Sequence, residues 1–223
     1  MALVASWQAD PAPLSREWSC YRQVDPQWAP LYHGAGEPVP SQSSGRWHRQ
    51  GEVYAQYIAL EPLGAWAELV RYEHIRGNTR AEQYRRNLWL VFVREHDIAD
   101  LSTFDHYEAC GLDPRLAVGD HADSQKLADE LRGAGYRGLL SPSAALVGAT
   151  NLSLFGERFE RPLLGGLATW PNPKPGVRLP CSLVVEGNPP DQLIRETVFE
   201  NMEHDGYRDW LRAHGKPLPP GTA

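Results

Sequence analysis

The sequence predicts an α+β fold, because short strand patterns are interspersed with only a few helix patterns. Its 223 residues suit a single globular domain, and a hydrophobic fraction of 42% is sufficient to fill a core. The 8 Trp, 19 Pro and 20 Gly residues supply rigid aromatic side chains and backbone turns, which disfavour an all-helical bundle. We therefore expect one domain over residues 1–223.

Strand and helix patterns follow one another in the first half of the chain. A Gly-rich and Ser-rich stretch over residues 31–49 is predicted to form a loop. The β-branched and aromatic residues of 53–60 indicate a strand. Apolar residues then recur at intervals of three and four over 63–75, which is the period of an amphipathic helix, and Gly77-Asn78 is expected to end this helix.

The second half of the chain shows a similar mixture. Strands are predicted over residues 88–94, 137–140, 152–155 and 182–186, and helices over residues 124–131 and 200–214. Asp123 or Ser124 is expected to cap the first of these helices, and Gly133 or Gly135 to end it. Few helices among interspersed strands are typical of the α+β class.

The balance of charge and the lengths of apolar runs exclude broad classes of function. The 22 Lys and Arg residues stand against 28 Asp and Glu residues, and the resulting net charge of −6 disfavours direct nucleic-acid binding. The longest apolar runs, such as residues 88–93, are far shorter than the about 20 residues needed to cross a bilayer. Residues 1–13 lack the pattern of a signal peptide. We expect a cytoplasmic protein without membrane contacts.

The sequence contains no metal or cofactor signature. Cys20, Cys110 and Cys181 are widely spaced, which favours reduced structural thiols. None of the 8 His residues has an H-E-x-x-H or comparable ligand spacing, and a polar loop is the simpler assignment for His106 and His121. Because no G-x-G-x-x-G or Walker motif is present, we expect neither a bound metal nor a redox dinucleotide in a Rossmann-type fold.

Four polar residues attract attention, although each has an ordinary structural interpretation. Arg46 suits a surface salt bridge, and Tyr57 suits a core tyrosine with a hydrogen-bonded hydroxyl. Glu68 suits a solvated helix carboxylate paired with Arg71 or Tyr72, and Ser143 suits a turn or a helix cap. Considered singly, none of these residues indicates a site.

The order of these residues along the chain is more informative than any one of them. The positions concerned are Tyr21-Arg22, Gly45-Arg46-Trp47, Tyr57-Ile58-Ala59, Glu68, Gly135-Tyr136-Arg137-Gly138, Pro142-Ser143, and Asn151 with Phe155. In this order they resemble the RES domain family, which is named for arginine, glutamate and serine. The likeness covers the motif-bearing core, residues 21–155, and residues 156–223 are expected to be a C-terminal extension packed on it.

Four positions depart from the family pattern. Ser44 replaces a glycine, and His48 stands where asparagine is usual. Arg137 occupies a position that is frequently acidic, and Ala145 one that is often basic. These departures concern the details of substrate contacts more than the resemblance itself.

The resemblance implies a fold similar to ADP-ribosyltransferase toxins, with a mixed β-sheet core and flanking helices. It also implies a toxin-like enzyme that cleaves the nicotinamide–ribose bond of NAD, as a glycohydrolase or a phosphorylase, so that NAD is a substrate and not a cofactor. Water, phosphate and protein side chains attack the same ribose carbon, and transfer of ADP-ribose to a protein is therefore the alternative activity. A catalytically reduced binding partner is another alternative. An unrelated Trp-rich binding domain would leave the motif residues scattered.

Arg46, Tyr57, Glu68 and Ser143 form the predicted catalytic set, and their chemistry suits this reaction. Cleavage of an N-glycosidic bond builds positive charge on the ribose, which the carboxylate of Glu68 stabilises. A pyrophosphate calls for forked guanidinium donors, for which Arg46 is the first candidate and Arg22 the second.

The remaining candidates concern the nicotinamide end of the substrate. Tyr57 offers an aromatic face, and Ser143 offers a hydrogen bond to the amide rather than a nucleophile, because no G-x-S-x-G elbow surrounds it. Trp47 and Asn151 complete the predicted substrate-binding residues, with packing under the loop and a turn as their respective alternatives.

By the same resemblance, the expected partner is a small Xre-family DNA-binding antitoxin that occludes the NAD pocket. DNA contact then belongs to that partner, in keeping with the acidic balance of this chain. Trp170-Pro171 and Trp210 are candidates for the interface, and plain packing is their simpler role. Whether the chain forms a homodimer is left open.

Overall fold

The computed structural model describes residues 7–26, 30, 42–78, 80, 84–156, 181–200 and 202–219. In chain order its elements are β1 (Pro13–Val24), β2 (Ala55–Ala59), α1 (Pro62–Ile75), β3 (Arg86–Asp100), α2 (Phe104–Ala109), a 3₁₀ turn (Pro114–Ala117), α3 (His121–Gly133), β4 (Gly138–Pro142), β5 (Thr150–Phe155), β6 (Cys181–Gly187), α4 (Leu193–Glu196) and α5 (Asp205–Ala213). This mixture confirms the α+β class. Most of the predicted loop, residues 31–41, and Trp170-Pro171 lie outside the described residues.

The strands pair into one sheet in the order β1-β2-β5-β4-β3-β6, and an additional pairing of β1 with β3 closes the first five into a ring. All neighbours are antiparallel except β3 and β4. β1 follows β3 over most of its length but meets β2 only at Tyr21 opposite Ala59. The sheet is therefore a mixed one, as the resemblance implies.

The two faces of the sheet bury different clusters, because successive side chains of a strand point to opposite sides. Ile58, Leu152 and Leu154 pack with Trp89 and Val91 inside the ring. On the other face, one apolar cluster lies under α1 and a second lies under α3. Helices thus flank the sheet on its outer face, which is also the face of Tyr57 and Asn151.

Helix α1 packs closely on the sheet. It begins at Pro62, where the missing N–H is one of the groups a helix start leaves unpaired in any case. A Cβ on Gly64 would lie only 3.2 Å from the Cβ of Ala59 and 3.3 Å from that of Ala149. This close approach brings Glu68, one turn further along the helix, next to the ends of β4 and β5.

The end of α1 agrees with the predicted Gly77-Asn78 stop. The N–H of Gly77 donates to the carbonyl of His74, and the N–H of Asn78 donates to that of Glu73, both at 2.9 Å. Gly77 has a φ of 79°, which is the left-handed conformation that a Schellman motif requires.

The start of α3 differs from the prediction. The helix begins at His121 and its N-cap residue is Asp120, rather than Asp123 or Ser124. The hydroxyl of Ser124 lies one turn inside the helix and donates to the carbonyls of Leu116 and Asp120, at 2.7 and 3.0 Å. Ser124 therefore ties the helix to the preceding turn and does not cap it.

Two other segments also differ from their predictions. His106 lies in the helix α2 rather than in a polar loop, because the side chain of Thr103 accepts the His106 N–H at 3.2 Å and caps a helix there. The helix predicted over 200–214 is shorter, since His204 caps α5 by accepting the Tyr207 N–H at 3.1 Å. β1 and α4 have no predicted counterpart.

The three cysteines are free thiols, as predicted, and burial raises the pKa of Cys20 to about 12. In the part of the chain that the structure describes, no helix is both long and apolar enough to pass through a bilayer.

Candidate active site

A cavity of about 530 Å³ lies between the loop 42–48, the strands β1, β2, β4 and β5, and the helices α1 and α3. This volume is within the range of small-molecule sites. Six of the predicted site residues line it: Arg22, Arg46, Trp47, Tyr57, Glu68 and Asn151. The motif residues are thus brought together rather than scattered, which argues against an unrelated Trp-rich binding domain.

The carboxylate of Glu68 is held by two donors. Ser143 Oγ donates to Glu68 Oε1 at 2.8 Å, and Asn151 Nδ2 donates to the same oxygen at 2.6 Å. Hydrogen bonds to an ionised acceptor are strong ones, so this pair fixes the orientation of the carboxylate. Because both donors meet at Oε1, neither of them occupies Oε2.

Ser143 is fully buried and does not line the cavity. Besides donating to Glu68, its Oγ accepts the N–H groups of Ala145 and Leu146, at 3.1 and 3.2 Å. Its carbonyl faces His204 Nε2 at 3.0 Å. A buried hydroxyl with these partners is placed to orient Glu68 rather than to reach a ligand.

The hydroxyl of Tyr57 is bound by the loop that precedes its strand. The N–H of Trp47 donates to Tyr57 Oη at 2.9 Å, and His48 Nδ1 lies 2.8 Å from the same oxygen. A Cβ on Gly45 would come within 2.6 Å of that oxygen, so a glycine is needed here. Burial raises the pKa of Tyr57 well above its ordinary value, which keeps the phenol neutral.

The guanidinium of Arg46 is almost buried at the cavity wall, with 9% of the residue exposed. Its Nη1 donates to the carbonyl of Gly119 at 2.6 Å. Burial lowers the pKa of Arg46, and the negative charge of Glu68 opposes that shift. An arginine has five N–H donors, so the bond to Gly119 anchors the group without exhausting it.

Two further arginines line the cavity. Arg22 donates to the side chain of Gln56, and burial lowers its pKa to about 10, so that it stays charged at neutral pH. Arg71 donates to the carbonyl of Val198 and, at 3.4 Å, to that of Ala144. Three guanidinium groups in one cavity favour an anionic ligand.

Three further residues line the cavity although they were not predicted to belong to the site: Arg71, His121 and Glu200. Arg71 follows Glu68 by one helical turn, and this spacing is a signal that places both on one face of α1. His121 and Glu200 approach through tertiary contacts that the sequence does not signal. Partial desolvation and the nearby Arg46 lower the pKa of His121 to about 4.

One group of potential metal ligands occurs among the described residues, and it lies outside the cavity. It comprises Asp105, Glu108 and His214, whose ligand atoms lie within 4.8 Å of one another. All three residues are exposed. Trp210 Nε1 already donates to Asp105 at 2.6 Å, and Lys216 binds Glu108. The group thus connects α2 to α5 through donors of the protein itself.

The chain has recognisable relatives. The model of the RES domain matches residues 16–167. No curated protein matches the sequence. The fold is similar to a chain of the crystal structure of the M. tuberculosis MbcT–MbcA toxin–antitoxin complex, at 20% sequence identity and a TM-score of 0.59, over 82% of this chain and 90% of that chain. At this identity the likeness shows the fold, and it confirms the predicted mixed sheet with flanking helices.

Proposed function

Because the chain belongs to the RES domain family, we propose that it is the toxin of a toxin–antitoxin pair and that it cleaves the nicotinamide–ribose bond of NAD. The observation on which this rests is the arrangement of the cavity, in which the oriented carboxylate of Glu68 shares a space of about 530 Å³ with a phenol and three arginines. The nicotinamide of NAD, its ribose and the pyrophosphate each have a chemical counterpart among these groups.

Glu68 supplies the electrostatic part of the reaction. Loss of nicotinamide leaves positive charge on the ribose ring, and a fixed carboxylate stabilises that charge more strongly than it stabilises the neutral sugar of the substrate. Ser143 and Asn151 hold the carboxylate before the substrate arrives, so that little reorganisation is needed in the transition state.

The arginines suit the pyrophosphate of NAD. Arg46 and Arg22 offer guanidinium forks, which match phosphate oxygens in pairs. Tyr57, which is neutral and lines the cavity, supplies an aromatic side chain of the kind that a site for the flat nicotinamide requires. NAD is accordingly a substrate, and the proposal needs no cofactor or metal.

The partner follows from the same proposal. The structural neighbour is part of a toxin–antitoxin complex, and we place an Xre-family antitoxin over the cavity of this chain, where it blocks access of NAD. We place the activity in the cytoplasm, in keeping with three cysteines that remain unpaired.

The experiment is incubation of the purified chain, free of any partner, with NAD, followed by chromatography of the products. We expect loss of NAD and release of nicotinamide. Free ADP-ribose identifies water as the acceptor, ADP-ribose-1″-phosphate in phosphate buffer identifies phosphate, and a labelled protein identifies transfer. Glu52→Gln is the control, because Glu52 is an exposed partner of Arg49 outside the cavity. A folded wild-type chain that leaves NAD intact with water, with phosphate and with protein as the acceptor contradicts the proposal.

A further inference from the structure

His48 lies at the junction between the loop and the Tyr57 hydroxyl. Only 1% of the residue is exposed. Its Nδ1 is 2.8 Å from Tyr57 Oη, which also accepts the N–H of Trp47 at 2.9 Å. Two groups therefore share the hydrogen bonds of the phenolic oxygen, and one of the two, His48, is able to change its protonation state.

The hydrogen bonds of this oxygen have two consistent arrangements. The N–H of Trp47 is only a donor, so it always takes one lone pair of the oxygen. If Nδ1 of His48 carries no proton, it accepts the Tyr57 proton, and the second lone pair of the oxygen is left for a ligand. If Nδ1 is protonated, it takes that second lone pair, and the Tyr57 proton is left for a ligand instead.

We propose that His48 is a positioning residue whose protonation decides whether the Tyr57 hydroxyl accepts or donates a hydrogen bond toward the ligand. The proposal rests on the proposed function, because Tyr57 lines the cavity assigned to NAD.

The surrounding structure fixes the backbone of the turn that carries His48. Gln125 Nε2 donates to the carbonyls of Gly45 and His48, at 2.8 and 3.1 Å, and these two residues also pair with each other through a β-bridge. Arg132 Nη1 donates to the carbonyl of Trp47 at 3.0 Å. Helix α3 thus holds the turn from one side while β2 presents Tyr57 from the other.

The groups around His48 favour its neutral form. Burial and the charge of Arg132 lower the pKa of His48, and the backbone carbonyl of Ser43 acts in the opposite direction. Two other titratable groups face His48. His121, at the start of α3, interacts with it electrostatically, and Tyr57 of β2 is its hydrogen-bond partner. His48 is therefore neutral at pH 7 and gains a proton below the ordinary histidine value of about 6.5.

The two states suit different ligand groups. When His48 is neutral with its proton on Nε2, Tyr57 accepts a hydrogen bond and matches an N–H donor such as the carboxamide of nicotinamide. In the protonated state, Tyr57 is a donor, and the same carboxamide orientation is disfavoured. Acidification then weakens substrate binding by a reversal of one hydrogen bond at the cavity wall.

The first test needs no enzymatic activity. Nuclear magnetic resonance of the ligand-free chain with ¹⁵N-labelled histidine reports whether Nδ1 of His48 carries a proton, and His48→Asn identifies its signal. We expect an unprotonated Nδ1 at pH 7.5 that moves on Tyr57→Phe, which removes the donor. A protonated Nδ1 at that pH, or a signal indifferent to Tyr57→Phe, overturns the proposal even if NAD is cleaved.

The second test is the pH profile of NAD cleavage. In the wild type, KM for NAD is expected to rise by roughly fivefold as His48 is protonated, which is the scale of one neutral hydrogen bond. The profile of His48→Asn is expected to be flat over this range, while His96→Asn, at an exposed site on β3, keeps the wild-type shape. If KM of His48→Asn still rises at acid pH as in the wild type, the proposal is overturned. Absence of cleavage in every variant contradicts the proposed function instead, and the resonance test then decides on His48.

Discussion

At the scale of single residues, the arrangement around Glu68 separates two kinds of role. Glu68 lines the cavity. Ser143 lies outside the cavity and donates a hydrogen bond to the Glu68 carboxylate. The motif order was enough to select both residues from the sequence. The direction of the Ser143 side chain was not predictable, because it depends on the N–H groups of Ala145 and Leu146, which bind its oxygen in the folded turn.

Glu68→Gln tests the charge of the carboxylate while keeping its shape. The glutamine carbonyl still accepts the hydrogen bonds of Ser143 and Asn151, so we expect little change in thermal stability. Loss of a preorganised charge at the reacting centre is expected to lower kcat by about 100-fold to 1000-fold. Steady-state release of nicotinamide and thermal unfolding measure the two effects.

The companion variant Ser143→Ala distinguishes positioning from direct action. It leaves the charge of Glu68 in place and frees its orientation, so its loss of kcat is expected to be smaller than that of Glu68→Gln. Equal turnover in wild type and Glu68→Gln removes Glu68 from the catalytic role.

Arg46→Lys tests the guanidinium fork. The present side chain uses Nη1 to bind Gly119 and keeps other donors for a phosphate. A lysine has a single ammonium group that cannot serve both partners in this geometry, and we expect Kd for NAD to rise by roughly tenfold or more, the scale of one charged hydrogen bond.

The affinity is best measured by calorimetry in the Glu68→Gln background, where NAD is not consumed. Arg49→Lys is the matched control, since Arg49 lies on the same loop but binds Glu52 and Asp129 away from the cavity. If Kd for NAD is unchanged in Arg46→Lys, the phosphate contact has to be assigned to Arg22 or Arg71 instead.

At the scale of elements, local patterns predicted some parts of the fold and missed others for identifiable reasons. β2 was predictable from its β-branched and aromatic residues, and α1 because its apolar residues have a clear period and its ends are marked by Pro62 and Gly77. β1 has polar residues on its exposed side, and its length is set by pairing with β3. The ring closure was not predictable, because it depends on partners distant in sequence.

Gly45→Ala tests how the loop and β2 fit together. The added Cβ would lie 2.6 Å from Tyr57 Oη and 2.9 Å from His48 Cε1, so the hydroxyl has to move. We expect kcat/KM to fall by roughly tenfold, the upper scale of one neutral hydrogen bond, with the circular dichroism spectrum unchanged.

Gly133→Ala serves as the control for this substitution. A Cβ on Gly133 meets no atom within 4 Å, and the residue does not have a positive φ. Its kcat/KM is expected to equal that of the wild type. If Gly45→Ala also retains full activity, the contact between the loop and Tyr57 is not needed for turnover.

At the scale of the whole molecule, the charge of the cavity is opposite to that of the chain. The net charge is −6, yet Arg22, Arg46 and Arg71 are gathered around one cavity. A net negative charge disfavours binding of extended polyanions to the chain, whereas a confined cationic site binds a small anion. This separation was not visible in the composition, because it arises only when distant arginines are brought together by the fold.

Buried histidines link the stability of the whole molecule to pH. Burial lowers the pKa values of His48 and His204, so the folded state holds both neutral in a range where the unfolded chain binds protons. Stability from this source is complete above the unfolded value of about 6.5 and is lost as the pH falls from there toward the folded values. Each such proton contributes a slope of about 1.4 kcal/mol per pH unit.

Urea unfolding between pH 8 and pH 5 measures this linkage. We expect a constant free energy of unfolding from pH 8 to 7 and a decline between pH 6.5 and 5. His204→Gln removes one of the histidines with a lowered pKa, so its decline should be shallower by up to about 1.4 kcal/mol per pH unit. Loss of the contact with the Ser143 carbonyl also lowers its stability at every pH. His96→Asn, exposed on β3, is the control. A decline of the same slope in wild type and His204→Gln contradicts the assignment of His204 as a buried neutral group.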